Sequence, residues 1–157
     1  MPRKQLRAEI SMVTAFQDAD PMGIVYHGNY FRFFEEARRV LLEQIDYGYR
    51  AMSASGYSWP VIDTQVKYVK AIPFNHPICI TATLSEWEHR LRVKYLITSE
   101  DKLTVYTRAH TTQVAVNLET ETMCLASPSC FTDRITSAIR LNDNDVEQRT
   151  DLPISEN

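Results

Sequence analysis

From Leu6 to Phe16 the apolar residues Leu6, Ala8, Ile10, Met12 and Val13 fall mostly at every second position, the period of a strand that faces a core on one side. The pattern breaks at Asp18-Ala19-Asp20-Pro21-Met22-Gly23. There Pro21 biases Asp20 away from helical dihedrals and Gly23 permits a tight reversal, so an ordered bend is expected. From about Asn29 to Ile45 the period changes: Tyr30, Phe33, Phe34, Ala37, Val40, Leu41 and Ile45 share one stripe, with Glu35, Glu36, Arg38, Arg39 and Glu43 elsewhere. This predicts an amphipathic helix of roughly 17 residues, about 25 Å long at 1.5 Å per residue. Asn29 is placed to cap its start and Gly48 to stop it. Residues 48–60, rich in Gly, Ser and Pro, read as a loop with a short helical turn near Ala51 and Met52.

Period two then returns. Ile62, Thr64, Val66 and Tyr68 form one alternating run, Ile78, Ile80, Ala82 and Leu84 a second, and Leu91, Val93, Tyr95 and Ile97 a third. Val105 to Val116 and Glu119 to Leu125 complete the set, with turns near His89-Arg90, Asp101-Lys102 and Asn117. Consecutive strands after one long helix imply an α+β fold with an antiparallel sheet. One face of that sheet must be covered, and the single long helix is the element available, so the sheet is expected to wrap around it. Its exposed edges invite pairing with a second copy, and a homodimer or homotetramer is expected. After Phe131 the chain is rich in Asp, Asn, Thr and Glu with weak periodicity. The division expected is a domain over 1–134 and a tail over 135–157, with a short helix or turn before a mobile end.

A length of 157 residues with 44% hydrophobic and 24% charged residues suits one core and needs no second domain. The net charge of -3 argues against a coat for nucleic acid, which needs concentrated Lys and Arg. No run of eighteen apolar residues offers a membrane span, and the opening Met1-Pro2-Arg3-Lys4-Gln5 does not read as a signal peptide. The three cysteines Cys79, Cys124 and Cys130 are odd in number and lack metal-ligand spacing, which fits a reducing, cytoplasmic setting. No cofactor or metal is called for.

The chemistry is concentrated in Phe16-Gln17-Asp18-Ala19-Asp20-Pro21-Met22-Gly23-Ile24-Val25-Tyr26-His27-Gly28-Asn29-Tyr30. Two carboxylates and a proline-glycine turn stand just ahead of a helix whose first N–H groups lack intrahelical acceptors. A turn could use both aspartates for structure alone. No Gly-x-Ser-x-Gly elbow and no His-x-x-x-His pair offer another route. The stretch resembles the Asp-x-x-Gly-(Ile/Val)-Val-(Tyr/Trp)-(His/Tyr)-x-x-Tyr motif of hotdog-fold acyl-CoA thioesterases of the 4-hydroxybenzoyl-CoA thioesterase-like family. Gly23, Val25, Tyr26, His27, Asn29, Tyr30, Glu35 and Arg38 stand where that pattern expects them. The likeness covers about residues 6–132 and is strongest over 16–38.

The resemblance implies a hotdog fold and hydrolysis of an acyl-CoA or acyl-carrier-protein thioester to free acid and thiol. It places the catalytic carboxylate, as nucleophile or general base, at Asp20, and the oxyanion donor at the backbone N–H of His27. The His27 side chain is then open to three roles: protonating the leaving sulfur, orienting Asp20, or packing. Tyr26 either lines the acyl pocket or packs. Gly23 and Asn29 become substrate-contacting positions of the loop. Glu35 and Arg38, three apart on the helix, suit a surface pair as readily as a functional one. In the family, basic residues near the hairpin after a Glu-Trp pair meet the nucleotide. Here that hairpin reads Glu86-Trp87-Glu88-His89-Arg90-Leu91-Arg92, so Arg90, Arg92, Lys67 and Lys70 are the candidates for the phosphates, with Glu88 departing from the pattern. Two other readings compete: a hotdog-fold dehydratase acting on 3-hydroxyacyl thioesters, and a non-catalytic acyl-thioester-binding module.

Overall fold

A computed structural model describes residues 5–150. In chain order the elements are β1 (Arg7–Val13), α1 (Tyr30–Glu43), α2 (Tyr49–Ala54), β2 (Tyr57–Ser58), β3 (Val61–Tyr68), β4 (Pro77–Glu86), β5 (Leu91–Ser99), β6 (Val105–Gln113), β7 (Val116–Asn117), β8 (Thr122–Met123) and α3 (Ser129–Thr150). Single 3-10 turns at Phe16–Asp18 and His27–Asn29 flank the bend before α1. Five strands form a fully antiparallel sheet in the order β1-β4-β5-β6-β3, while β2, β7 and β8 make a separate three-stranded ribbon.

The sheet curves over α1 because its inner face leaves room there. One cross-strand row reads Ala8, Ala82, Tyr95, Ala109, Val66, with small side chains at three of its five places. Into that trough α1 buries Tyr30, Phe33, Phe34, Ala37, Leu41 and Leu42, and the Phe34 ring lies 4.8 Å from that of Tyr95. The wrapped sheet that strand periodicity implied is therefore present.

Several local boundaries differ from the pattern-based reading. α1 ends ahead of Gly48: Asp46 takes the left-handed conformation (φ 54), Tyr47 N–H donates to the Leu42 carbonyl, and Asp46 N–H donates to that of Glu43. This is a Schellman closure, in which Asp is one of the few residues with a side chain to accept positive φ. Gly48 instead precedes α2. Asn29 does not cap α1 with its side chain, because the preceding 3-10 turn already holds it in helical dihedrals (φ -75, ψ -14). The run from Glu119 to Leu125 supplies only the two residues of β8, and β6 stops at Gln113 before the short β7.

Where a short helix or turn was expected after Phe131, α3 runs for 22 residues, so position 134 falls inside it. Its inner side is anchored by fully buried Phe131 and Ile135, four residues apart, with Ala138 and Ile139 partly buried one turn on. Phe131 packs against Tyr47 and Trp59, with ring centroids 5.5 and 4.8 Å away. Residues 151–157 of the expected tail lie outside the described residues.

Candidate active site

The bend between β1 and α1 is a small hairpin. Ala19 bridges Val25, Asp20 N–H donates to the Ile24 carbonyl at 2.8 Å, and Gly23 N–H returns to the Asp20 carbonyl at 3.0 Å. Gly23 sits at φ +76, a conformation that glycine adopts at no steric cost and that closes the turn begun by Pro21. The loop ahead of β4 holds the hairpin from behind: Val25 N–H donates to the Ile72 carbonyl, Ile24 bridges Pro73, and Phe74 N–H donates to the Gly23 carbonyl. That loop is itself tied to β1 by Thr14, whose buried hydroxyl donates to the Pro73 carbonyl and accepts from His76 N–H.

The two aspartates of this hairpin have opposite surroundings. Asp18 is buried; its carboxylate accepts from Ala15 N–H at 2.8 Å and from the guanidinium of Arg32 on α1. The Asp18 carbonyl accepts from Tyr26 N–H and from the Asn29 side-chain amide at 2.9 Å. Asp18 thus bolts the hairpin to the first turn of the helix. Asp20, at the tip, is half-buried, and one carboxylate oxygen accepts from Met22 N–H at 2.8 Å. Its second oxygen is the chemically available one, since a carboxylate offers about four acceptor sites and one is used here.

Between hairpin and α1 the chain makes the 3-10 turn His27–Asn29, so the N–H groups of His27 and Gly28 open the helical stack, where no intrahelical acceptor precedes them. Tyr26 folds over this turn: a Cβ at Gly28 would lie 2.6 Å from the Tyr26 ring, so only glycine lets the ring rest there. The Tyr26 ring lies 4.3 Å from that of His27, and both side chains are exposed. Tyr68, at the end of β3, donates its hydroxyl to the His27 carbonyl at 2.8 Å and meets the Tyr30 ring edge-on. Burial, with Tyr26 nearby, lifts the Tyr68 phenol above its ordinary value, which keeps it a donor. Nothing in the chain pattern marks Tyr68 or Arg32 as part of this site, because their partners are 41 and 14 residues away.

Asp20, Gly23, Tyr26, His27 and Asn29 therefore share one hairpin and turn. The four basic candidates do not gather. Arg90 lies at the β4–β5 hairpin and is paired with Glu86 at 2.9 Å. Arg92 reaches the His110 ring at 3.3 Å on the outer face of the sheet. Lys67 stands on that same face, opposite Arg108, while Lys70 follows β3 toward the candidate hairpin. Among the described residues no ion pair joins Glu35 to Arg38. Arg38 is buried and donates to the Tyr95 hydroxyl at 3.4 Å, and Glu35 accepts from Tyr49. No group of three or more His, Cys, Asp and Glu among the described residues is placed to hold a metal ion, and none of their helices is long and apolar enough to cross a membrane.

Residues 14–153 match the family profile described as the Thioesterase-like superfamily. The chain belongs to that superfamily. Within it, the chain is 32% identical over 72 residues to YneP of Bacillus subtilis (strain 168), a protein named as a candidate acyl-CoA thioesterase. That match spans 46% of this chain and about half (49%) of YneP. The fold is that of a 1,4-dihydroxy-2-naphthoyl-CoA thioesterase from Synechocystis, with a TM-score of 0.74 at 17% identity over 83% of this chain and 96% of that one. A Staphylococcus aureus protein solved in complex with CoA superposes with a TM-score of 0.75 at 14% identity, covering 89% of this chain and 87% of that one. These superpositions establish the hotdog fold.

Proposed function

We propose that this superfamily member hydrolyses an acyl-CoA thioester, with Asp20 as the reacting carboxylate. The observation that carries the reading is the division of labour in the hairpin. Asp18 is consumed by structure, while Asp20 keeps an oxygen that is unbonded among the described residues, at the tip of an element clamped to the start of α1. A thioester carbonyl seated against the His27 N–H would place its developing negative charge at a helix start, where donors and dipole both favour it. Thiolate leaves readily, so a carboxylate is a sufficient nucleophile or base. By the nucleophilic route, an Asp20 oxygen bonds to the carbonyl carbon, the C–S bond breaks, and water then cleaves the mixed anhydride. By the general-base route, Asp20 takes a proton from a water whose oxygen bonds to the carbonyl carbon, the C–S bond breaks, and the proton passes to the departing thiolate.

CoA as the carrier is supported by the CoA bound to the Staphylococcus aureus protein of the same fold and by the name of the Synechocystis enzyme. The working unit we propose is a homodimer paired through β3. This strand is one edge of the five-stranded sheet, leaves Val61, Ile62 and Tyr68 exposed, and brings Tyr68 to the turn at His27.

The test is hydrolysis of an acyl-CoA panel by the wild type and by Asp20→Asn, followed as free thiol. A fall of about 10²–10⁴-fold is expected for loss of a positioned acid–base group. Undiminished turnover in the variant would remove Asp20 from the reaction. Single turnover in ¹⁸O water reports on the nucleophilic route: label in the Asp20 carboxylate marks an aspartyl anhydride opened by water at the Asp20 carbon, and its complete absence favours attack by water.

A further inference from the structure

The outer face of the sheet, turned away from α1, carries a depression of about 500 Å³. Strand register explains its composition. One row across the sheet reads Arg7, Thr83, Lys94, His110, Gln65, and the next reads Glu9, Thr81, Leu96, Arg108, Lys67. Four full cations, Arg7, Lys67, Lys94 and Arg108, thus line one hollow together with His110, two threonine hydroxyls and the Gln65 amide, and no carboxylate lines it. Glu9, at the end of the second row, is already engaged by Lys102 at 2.7 Å. Arg108 and Lys67 stand directly opposite each other on adjacent strands. Like charges at such a pair destabilise a sheet. Among the described residues neither they nor Lys94 enters an ion pair. Beside the rim, the next row carries Arg92, whose buried Nε lacks a partner among the described residues, and Asp63, whose carboxylate lies 3.6 Å from His110 Nε2.

This concentration stands in a protein whose net charge is -3. A repulsive arrangement of this kind is relieved by a ligand that brings several negative charges at once. A single carboxylate brings one charge; a diphosphate or a phosphorylated nucleotide brings two to four and presents the oxygen geometry that guanidinium groups bind in pairs. The hollow is within the size range of small-molecule sites. A second copy stacked sheet to sheet would set its own four cations against these, so the charge pattern disfavours that occupant. From the cation rows and the hollow they enclose, we infer that the outer face of the sheet binds a multiply charged phosphate ligand. The site lies on the opposite side of the sheet from α1.

Calorimetric titration of the full chain with inorganic pyrophosphate tests this directly and needs no turnover, so its result is independent of the role of Asp20. Saturable binding is expected, weakening with added salt and weakened about tenfold or more in the double variant Lys94→Ala/Arg108→Ala. Adenosine 3′,5′-bisphosphate, the nucleotide portion of CoA, is titrated in parallel. Binding tighter than pyrophosphate identifies a nucleotide as the natural ligand, and equal binding identifies the phosphate groups alone. Amide shifts on pyrophosphate addition to the wild type, mapped by NMR, guard against a variant that fails to fold: they are expected at Thr83, Lys94, Arg108 and His110. No saturable binding, equal affinity in the folded double variant, or shifts confined to the Asp20 hairpin would each overturn the proposal.

Discussion

Two aromatic clusters flank the two ends of α1, and their polar atoms are treated differently. At the C-terminal end Tyr47 and Phe131 are fully buried and pack on each other, with Trp59 against both. Trp59 Nε1 donates to the Tyr47 hydroxyl at 3.0 Å, that hydroxyl meets Ser55 Oγ at 2.9 Å, and the Gln113 amide donates to the Trp59 carbonyl at 2.7 Å. At the N-terminal end Tyr26 and Tyr68 are 47% and 45% exposed, His27 is exposed, and among the described residues one oxygen of the Asp20 carboxylate is unbonded. A closed cluster with its donors satisfied contributes stability and holds α3 in place. An open one, held through Asp18, the loop ahead of β4 and Tyr68, leaves groups free to meet a ligand.

Substitutions can break this contrast. The largest expected effect is catalytic: Asp20→Asn lowers turnover by about 10²–10⁴-fold. Because the Asp20 carboxylate, among the described residues, makes only a local bond with Met22 N–H, the variant's unfolding free energy in urea should stay within about 0.5 kcal/mol of wild type. Next is Phe131→Ala, which empties the closed cluster and should cost about 3–5 kcal/mol in urea unfolding. A loss below about 1 kcal/mol would show that α3 is not held by this ring.

Asp18→Asn sharpens the comparison within the hairpin itself. It removes the charge that meets Arg32, a half-exposed partner, and weakens the bond from Ala15 N–H, for an expected loss of about 1–2 kcal/mol. Stability lost in Asp18→Asn and activity lost in Asp20→Asn would separate anchor from reactant; the reverse pattern would exchange their roles.

The smallest effect is expected far from both clusters. A hydrogen bond from Lys102, with a lesser one from Cys79, holds Glu9 below the usual carboxylate range. A depressed folded-state value means stabilisation that is present above the unfolded carboxylate value and is lost as pH falls through the folded one. Lys102→Met should therefore cost at most about 1 kcal/mol near neutral pH, and its gap from wild type should close on acidification. A gap that widens as pH falls would contradict this assignment.

Much of the architecture was readable from local patterns. Helical spacing from Tyr30 to Leu42 and alternation through β4 and β5 repeat every few residues, so these segments announce their type and their buried face, whereas β3, an edge strand, leaves Ile62 and Tyr68 of its apolar run exposed. The candidate hairpin is equally local, lying within fifteen consecutive residues that resemble a known motif. Less was legible where composition misleads. The polar stretch after Phe131 hid a helix because its apolar contacts, Phe131 and Ile135, take their meaning from Tyr47 and Trp59 far upstream. Arg38 reads as a surface cation on a helical wheel, yet Tyr95 and the curved sheet enclose it.

By itself the sequence determined the helix, the strands and the carboxylate-bearing turn, because periodicity and turn chemistry act between near neighbours. Tertiary structure alone decided that Arg7, Lys67, Lys94 and Arg108 share one hollow, that Asp18 rather than Asp20 is spent on Arg32, and that the Tyr68 hydroxyl reaches the turn at His27. These facts depend on strand register and on how the hairpin docks, which join residues as many as 101 positions apart, such as Arg7 and Arg108. No local pattern carries that information, since register is set when separate buried faces close over a common core.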